Sequence, residues 1–112
     1  MVVLPDGRIV MTYGVRLGYP DAPGGLPRFG VEAAVSPDQG KTWDLEHRYV
    51  LVSWRGNIPS ASPNAWFCSV QSTSTVILPD GALVTAFGTG FANPESAASC
   101  KMDVALVRWK LQ

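Results

Sequence analysis

Apolar residues along this chain come in short runs separated by glycine, proline and aspartate, and the runs alternate rather than spiral. Phe29 to Val35 is one such run, with Glu32 set inside it. Trp43 to Trp54 carries Tyr49, Val50, Leu51 and Val52, Ser69 to Leu78 is rich in β-branched residues, and Val104 to Trp109 closes the series. No stretch of helical length keeps an apolar period of about 3.6 residues, so the pattern predicts strands throughout. The 11 glycines and 9 prolines fall mostly between the runs, as a many-stranded fold requires. The expected fold class is all-β.

The pattern also repeats. Leu4-Pro5-Asp6-Gly7-Arg8-Ile9-Val10-Met11-Thr12-Tyr13-Gly14 matches Leu78-Pro79-Asp80-Gly81-Ala82-Leu83-Val84-Thr85-Ala86-Phe87-Gly88, an offset of 78 − 4 = 74. Each copy is an apolar run, a Pro-Asp-Gly turn and a second apolar-aromatic run. Proline presets the first turn dihedral and glycine accepts positive φ, so both copies predict tight hairpins. A fixed offset between hairpins predicts stacked supersecondary units. Two connections, Leu17 to Arg28 and Gly90 to Lys101, are long and irregular, and loops of that kind on a rigid sheet commonly carry binding residues.

Composition narrows the function classes. At 112 residues, 46% hydrophobic and 16% charged, the chain is long enough for a modest core and is not of disordered composition. Nine basic residues balance nine acidic ones and no charge run stands out, which gives no electrostatic case for nucleic acid or a membrane surface. No stretch approaches the ~20 apolar residues of a membrane helix. The opening Met1-Val2-Val3-Leu4-Pro5-Asp6-Gly7 has no export-signal pattern and starts inside a predicted strand, which suggests an upstream part. Cys68 and Cys100 can pair, but two cysteines make no framework, and the expectation is two unpaired cysteines in or near strands.

The segment Ser36-Pro37-Asp38-Gln39-Gly40-Lys41-Thr42-Trp43 is the most specific feature. As a hairpin it makes physical sense. Asp38 can accept backbone N–H bonds across the turn, Gly40 can take the positive φ that closes it, Thr42 begins the outgoing strand and Trp43 plugs against neighbouring sheet. This Ser-x-Asp-x-Gly-x-Thr-Trp pattern is similar to the Asp-box of the sialidase (neuraminidase) superfamily. The resemblance extends to Tyr13-Gly14-Val15-Arg16, to Phe29 through Val35 leading into the box, to Trp43 through Leu51, to Gln71 through Gly81 and to the ending Val104 through Leu111. It implies a six-bladed β-propeller of which residues 1–112 form a partial domain. Residues 1–55 correspond to a blade holding the box at 36–43, and residues 66–112 to the following blade. The partners it implies are a glycan or sialoside ligand and the missing propeller blades, with no nucleic acid, no membrane and no cofactor. Relatives are commonly exported, although this chain carries no signal.

The resemblance further implies exo-hydrolysis of a terminal sialic acid in the intact parent. Such sites use three arginines on the substrate carboxylate, a tyrosine nucleophile assisted by a glutamate, and an aspartate acid/base. The Phe-Arg-Ile-Pro segment that carries the first arginine in many relatives is absent. Where relatives often have Gly-Tyr-Pro-Ser this chain has Gln71-Ser72-Thr73-Ser74, so Ser72 takes the tyrosine position, and Phe67 has no hydroxyl to replace it. The chain alone is therefore expected to be inactive, and the alternative is a non-catalytic carbohydrate- or protein-binding propeller.

The candidate ligand contacts are Arg16, at the junction of the second strand with the long loop, and Gln71, Ser72 and Thr73, which begin the innermost strand. Arg16 can equally serve a loop salt bridge. Glu32 is a low-ranking catalytic candidate with Arg16; inside an apolar strand it needs a partner, Arg16 or Arg28. Ser36, Asp38, Gly40, Thr42 and Trp43 are structural. Asp6 and Asp80 are turn residues; Asp21, Glu95 and Asp103 flank the long loops without evident partners. Arg108 and Trp109 are packing residues, and His47 is a surface residue without metal or triad spacing. No metal site is expected.

Overall fold

A computed structural model of the chain describes residues 1–18, 25–62, 65–70, 72–92 and 100–112. The described residues form nine strands, a 3-10 turn at Ala65–Cys68 and no α-helix, so the fold is all-β. The strands are β1 (Val2–Val3), β2 (Ile9–Leu17), β3 (Arg28–Ser36), β4 (Asp44–Arg55), β5 (Thr73–Ile77), β6 (Leu83–Gly88), β7 (Phe91–Ala92), β8 (Cys100–Lys101) and β9 (Val104–Trp109). They assemble into an antiparallel sheet of order β1-β2-β3-β4, a second of order β5-β6-β9, and the short ribbon β7-β8.

The two repeat copies close in the same way. Gly7 donates to the Leu4 carbonyl and Gly81 to the Leu78 carbonyl, both at 2.9 Å, while Leu4 and Leu78 donate to the carbonyls of Arg8 and Ala82. Asp6 and Asp80 each accept the backbone N–H two residues on, at 3.0 Å. Gly7 and Gly81 hold φ of 88° and 77°, the left-handed conformation that makes glycine the suitable residue there.

Strand alternation sorts the first sheet into two faces. One carries Val10, Val31, Ala33 and Phe29, all essentially buried. It packs against Leu83, Thr85 and Phe87 of the second sheet, joined by Ile77, Val107 and Trp109. Burying such side chains stabilises each by about 1.5–3 kcal/mol. A chain of hydroxyls runs through this interface. Thr12 Oγ1 bonds Thr73 and Thr75 at 3.1 and 3.0 Å, Thr75 bonds Thr85 at 2.9 Å, and the Trp109 indole donates to Thr85 at 3.0 Å. Val70 packs directly over Gly14, where any Cβ would collide with it.

Several expectations change. Among the described residues of the run Ser69 to Leu78 the strand begins at Thr73; before it the chain turns through Ala65–Cys68 and Val70 seats on Gly14. Thr42 precedes the outgoing strand, which begins at Asp44. The connection Gly90 to Lys101 contains the ribbon β7-β8, and Leu17 and Arg28 are the last and first strand residues around their loop. Cys68 and Cys100 are joined in a disulfide with Cα atoms 5.5 Å apart. The pairing of Ala92 with Cys100 returns the chain beside the 3-10 turn, a long-range contact that separation in sequence conceals. Asn57 Oδ1 lies 3.4 and 3.7 Å from the two sulfurs, placed to accept from either thiol when reduced.

Candidate functional site

The two ends of the sheets differ in chemistry, and β3 measures the gap between them. Its nine residues run from Arg28 to Ser36, a span of roughly 26 Å at about 3.3 Å per residue. Ile9 pairs with Ser36, so both Pro-Asp-Gly turns and the Ser36–Trp43 turn share the end at Ser36. Arg16, Arg28 and Arg55 occupy the other end.

At the first end the box is fully wired. Ser36 is completely buried; its hydroxyl donates to Asp38 at 2.9 Å and accepts the Gly40 N–H at 2.7 Å. Asp38 also accepts the Thr42 N–H and the Thr42 hydroxyl, both at 2.8 Å. These bonds, led by the Thr42 N–H, hold the Asp38 carboxyl below the ordinary aspartate range. Gly40 has φ of 88° and half-buried Trp43 lies against it. Asp44 is likewise lowered, first by its bond to His47, a surface side chain 80% exposed. Asp80 accepts from Arg108 as well as from Ala82. Asp6, Asp38, Asp44 and Asp80 at this end are each bonded within their own turn or to a close neighbour.

Glu32 lies in the middle of the sheet, 14% exposed, on the face away from the second sheet. It accepts from the Tyr13 hydroxyl at 3.2 Å and sits 3.5 Å from Arg48. Neither expected partner is bonded to it. Arg16 stands opposite Phe29 and therefore on the other face, and Arg28 lies two pleats along β3, lining the same shallow groove. Arg48 reaches Glu32 because the β3–β4 register shifts between Val31 and Glu32, which places Val50 opposite Glu32 and Arg48 diagonally beside it. Burial, then the bond to Glu32, pushes the Tyr13 phenol above its ordinary value. That is the opposite of an activated nucleophile.

At the second end, Arg28 pairs in register with Arg55, and Arg16 sits on the neighbouring strand. All three are exposed, and none has a carboxylate partner among the described residues. Like charges directly opposite across strands cost about 0.2–1 kcal/mol. Ser72 is exposed here, its carbonyl accepting from Gly88 at 3.3 Å. Thr73, half-buried, is turned inward onto Thr12. Gln71, Asp21 and Glu95 lie outside the described residues. Ser60 Oγ is buried at this end without a hydrogen-bond partner among the described residues. Arg28, Arg55 and Tyr13 were not singled out as site residues from the sequence. Charged residues bracketing a strand pair are visible there, but only the register shows which ones meet.

Planar guanidinium forks suit a carboxylate or another planar anion. Comparison of the chain with protein-family models, with curated proteins and with solved structures finds no match.

Proposed function

We propose that the chain forms two blades of a sialidase-like β-propeller and receives an acidic glycan, a terminal sialoside, at the end carrying Arg16, Arg28 and Arg55. One observation carries this reading: three exposed arginines, Arg28 and Arg55 on one face of the first sheet and Arg16 on the other, lie at one end with no carboxylate partner among the described residues. The Asp-box pattern, the repeat at offset 74 and the stacking of two antiparallel sheets support the propeller. In the intact parent the site is that of an exo-acting glycoside hydrolase. The chain itself supplies binding without turnover, because Ser72 has no phenol and the Tyr13 phenol is held away from ionisation on a sheet face.

A second reading is a non-catalytic carbohydrate- or protein-binding propeller, favoured by serine at position 72. Calorimetric titration with sialyllactose and with lactose tests the shared element. The expected result is binding of the sialylated sugar alone, weakened by salt and lost when Arg16, Arg28 and Arg55 are all replaced by alanine. Equal binding of both sugars, or undiminished binding by the triple variant, refutes the site. Turnover of a fluorogenic sialoside by the parent separates hydrolase from binding module.

A further inference from the structure

The internal repeat relates faces as well as turns. At offset 74, Val10, Thr12 and Gly14 correspond to Val84, Ala86 and Gly88, while Ile9, Met11 and Tyr13 correspond to Leu83, Thr85 and Phe87. The first set lies on the face of the first sheet that packs on the second, and Leu83, Thr85 and Phe87 lie on the second sheet's facing side. The outer face of the second sheet is thus the counterpart of the first sheet's inner face. The outer face of the first sheet is likewise the counterpart of the second sheet's inner face. Both halves of the interface within the chain are presented again, unoccupied, on its two outer surfaces.

Those surfaces present apolar side chains, and the first sheet's outer face also carries the Glu32–Arg48 pair and, at its loop end, Arg28 and Arg55. On the second sheet Val76, Val104 and Leu106 are 53, 76 and 70% exposed, and register places them beside Val84 and Ala86. On the first, Val3 and Val50 are 63 and 64% exposed, beside Ile9 and opposite Glu32 respectively. Positions that hold hydroxyls inside the chain turn apolar outside: Ala86 stands for Thr12 and Met11 for Thr85. A contact between the outer surfaces therefore needs no counterpart of the internal threonine chain.

We propose that a second copy of this chain docks head to tail, its first-sheet outer face on the second-sheet outer face of its neighbour, repeating between chains the packing found within one. The partner surfaces are different patches, so the contact is heterologous and closes as a ring when its rotation permits. With two sheets per chain, the six blades of the propeller reading, on which this count alone rests, put closure at three copies.

Sedimentation tests the contact with the 112-residue chain. Leu106→Lys blocks the second-sheet face and Val50→Lys the first-sheet face, each at an exposed position. The wild type is expected near three times the 12.0 kDa chain mass, each variant alone at 12.0 kDa, and an equimolar mixture of the two at about twice it. Only a heterologous contact predicts that mixing restores a dimer and nothing larger. Val76→Lys with Val3→Lys tests the same two faces from other strands should the first pair fail to fold. A wild type that stays at 12.0 kDa throughout the micromolar range overturns the proposal and assigns these faces to another occupant. Variants that self-associate singly, or a mixture that stays monomeric, overturn it too. Arg28 and Arg55 share the first-sheet outer face, but sugar binding has no part in this readout, so the association and the glycan site are judged by separate measurements.

Discussion

The turn end and the loop end of this molecule are built from the same two sheets and reach opposite electrostatic outcomes. At the turn end, Asp6, Asp38, Asp44 and Asp80 all have their pKa lowered by hydrogen bonds from their own turns or near neighbours. Charge is spent there on fixing backbone. At the loop end, Arg16, Arg28 and Arg55 stand exposed without described carboxylate partners, and Arg28 directly faces Arg55. Under the proposed function this end receives the anion. The contrast teaches that the most recognisable motif of the chain is wired into its own turn, and that the proposed binding end lies a strand's length away.

Breaking each end in turn should sharpen the contrast. The largest effect is expected from the Cys68–Cys100 bond, which closes a 32-residue separation at the loop end. Replacing both cysteines by serine should cost about 3–4 kcal/mol by the loop-entropy relation, read from the urea midpoint. An unchanged midpoint would show that the loop end does not depend on this clamp. Next is Ser36→Ala, which leaves the Gly40 N–H without its acceptor at a fully buried position and should cost about 1–3 kcal/mol.

Acid should act selectively on the turn end. Because the folded-state pKa values of its aspartates are depressed, their contribution is complete well above the ordinary value of 3.8 and is lost as pH falls past it. Melting temperature should therefore drop between pH 5 and pH 3, and Asp38→Asn should flatten that dependence. The smallest stability effect belongs to Arg28→Ala, within about 0.5 kcal/mol of wild type. The same change should weaken sialoside binding, so thermal melts and calorimetry on one variant separate scaffold from site.

Much of the turn end was legible in the sequence. Asp38 accepts across its turn, Gly40 and both Pro-Asp-Gly glycines have positive φ, and Val104–Trp109 is a strand. Each of these depends on residues within a few positions of one another, where local stereochemistry decides. The loop end depends on distant contacts and was less legible. Glu32 bonds Tyr13, its partner across β2–β3, and Arg48, which a register shift in β3–β4 brings beside it, and residue spacing cannot reveal that shift. The Arg28–Arg55 pairing joins strand ends 27 residues apart, and the disulfide joins a 3-10 turn to a two-residue ribbon. Thr73, expected to face a ligand, is drawn inward by Thr12.

The most direct test follows backbone amide resonances while sialyllactose is added to the intact chain. If the loop end receives the ligand, shifts should concentrate at Gly18, Arg28, Arg55 and Ser72, with Gly7, Gly40, Thr42 and Gly81 unmoved. Shifts centred on Gly40 and Thr42, or none anywhere at saturating sugar, would contradict the assignment of scaffold to one end and recognition to the other.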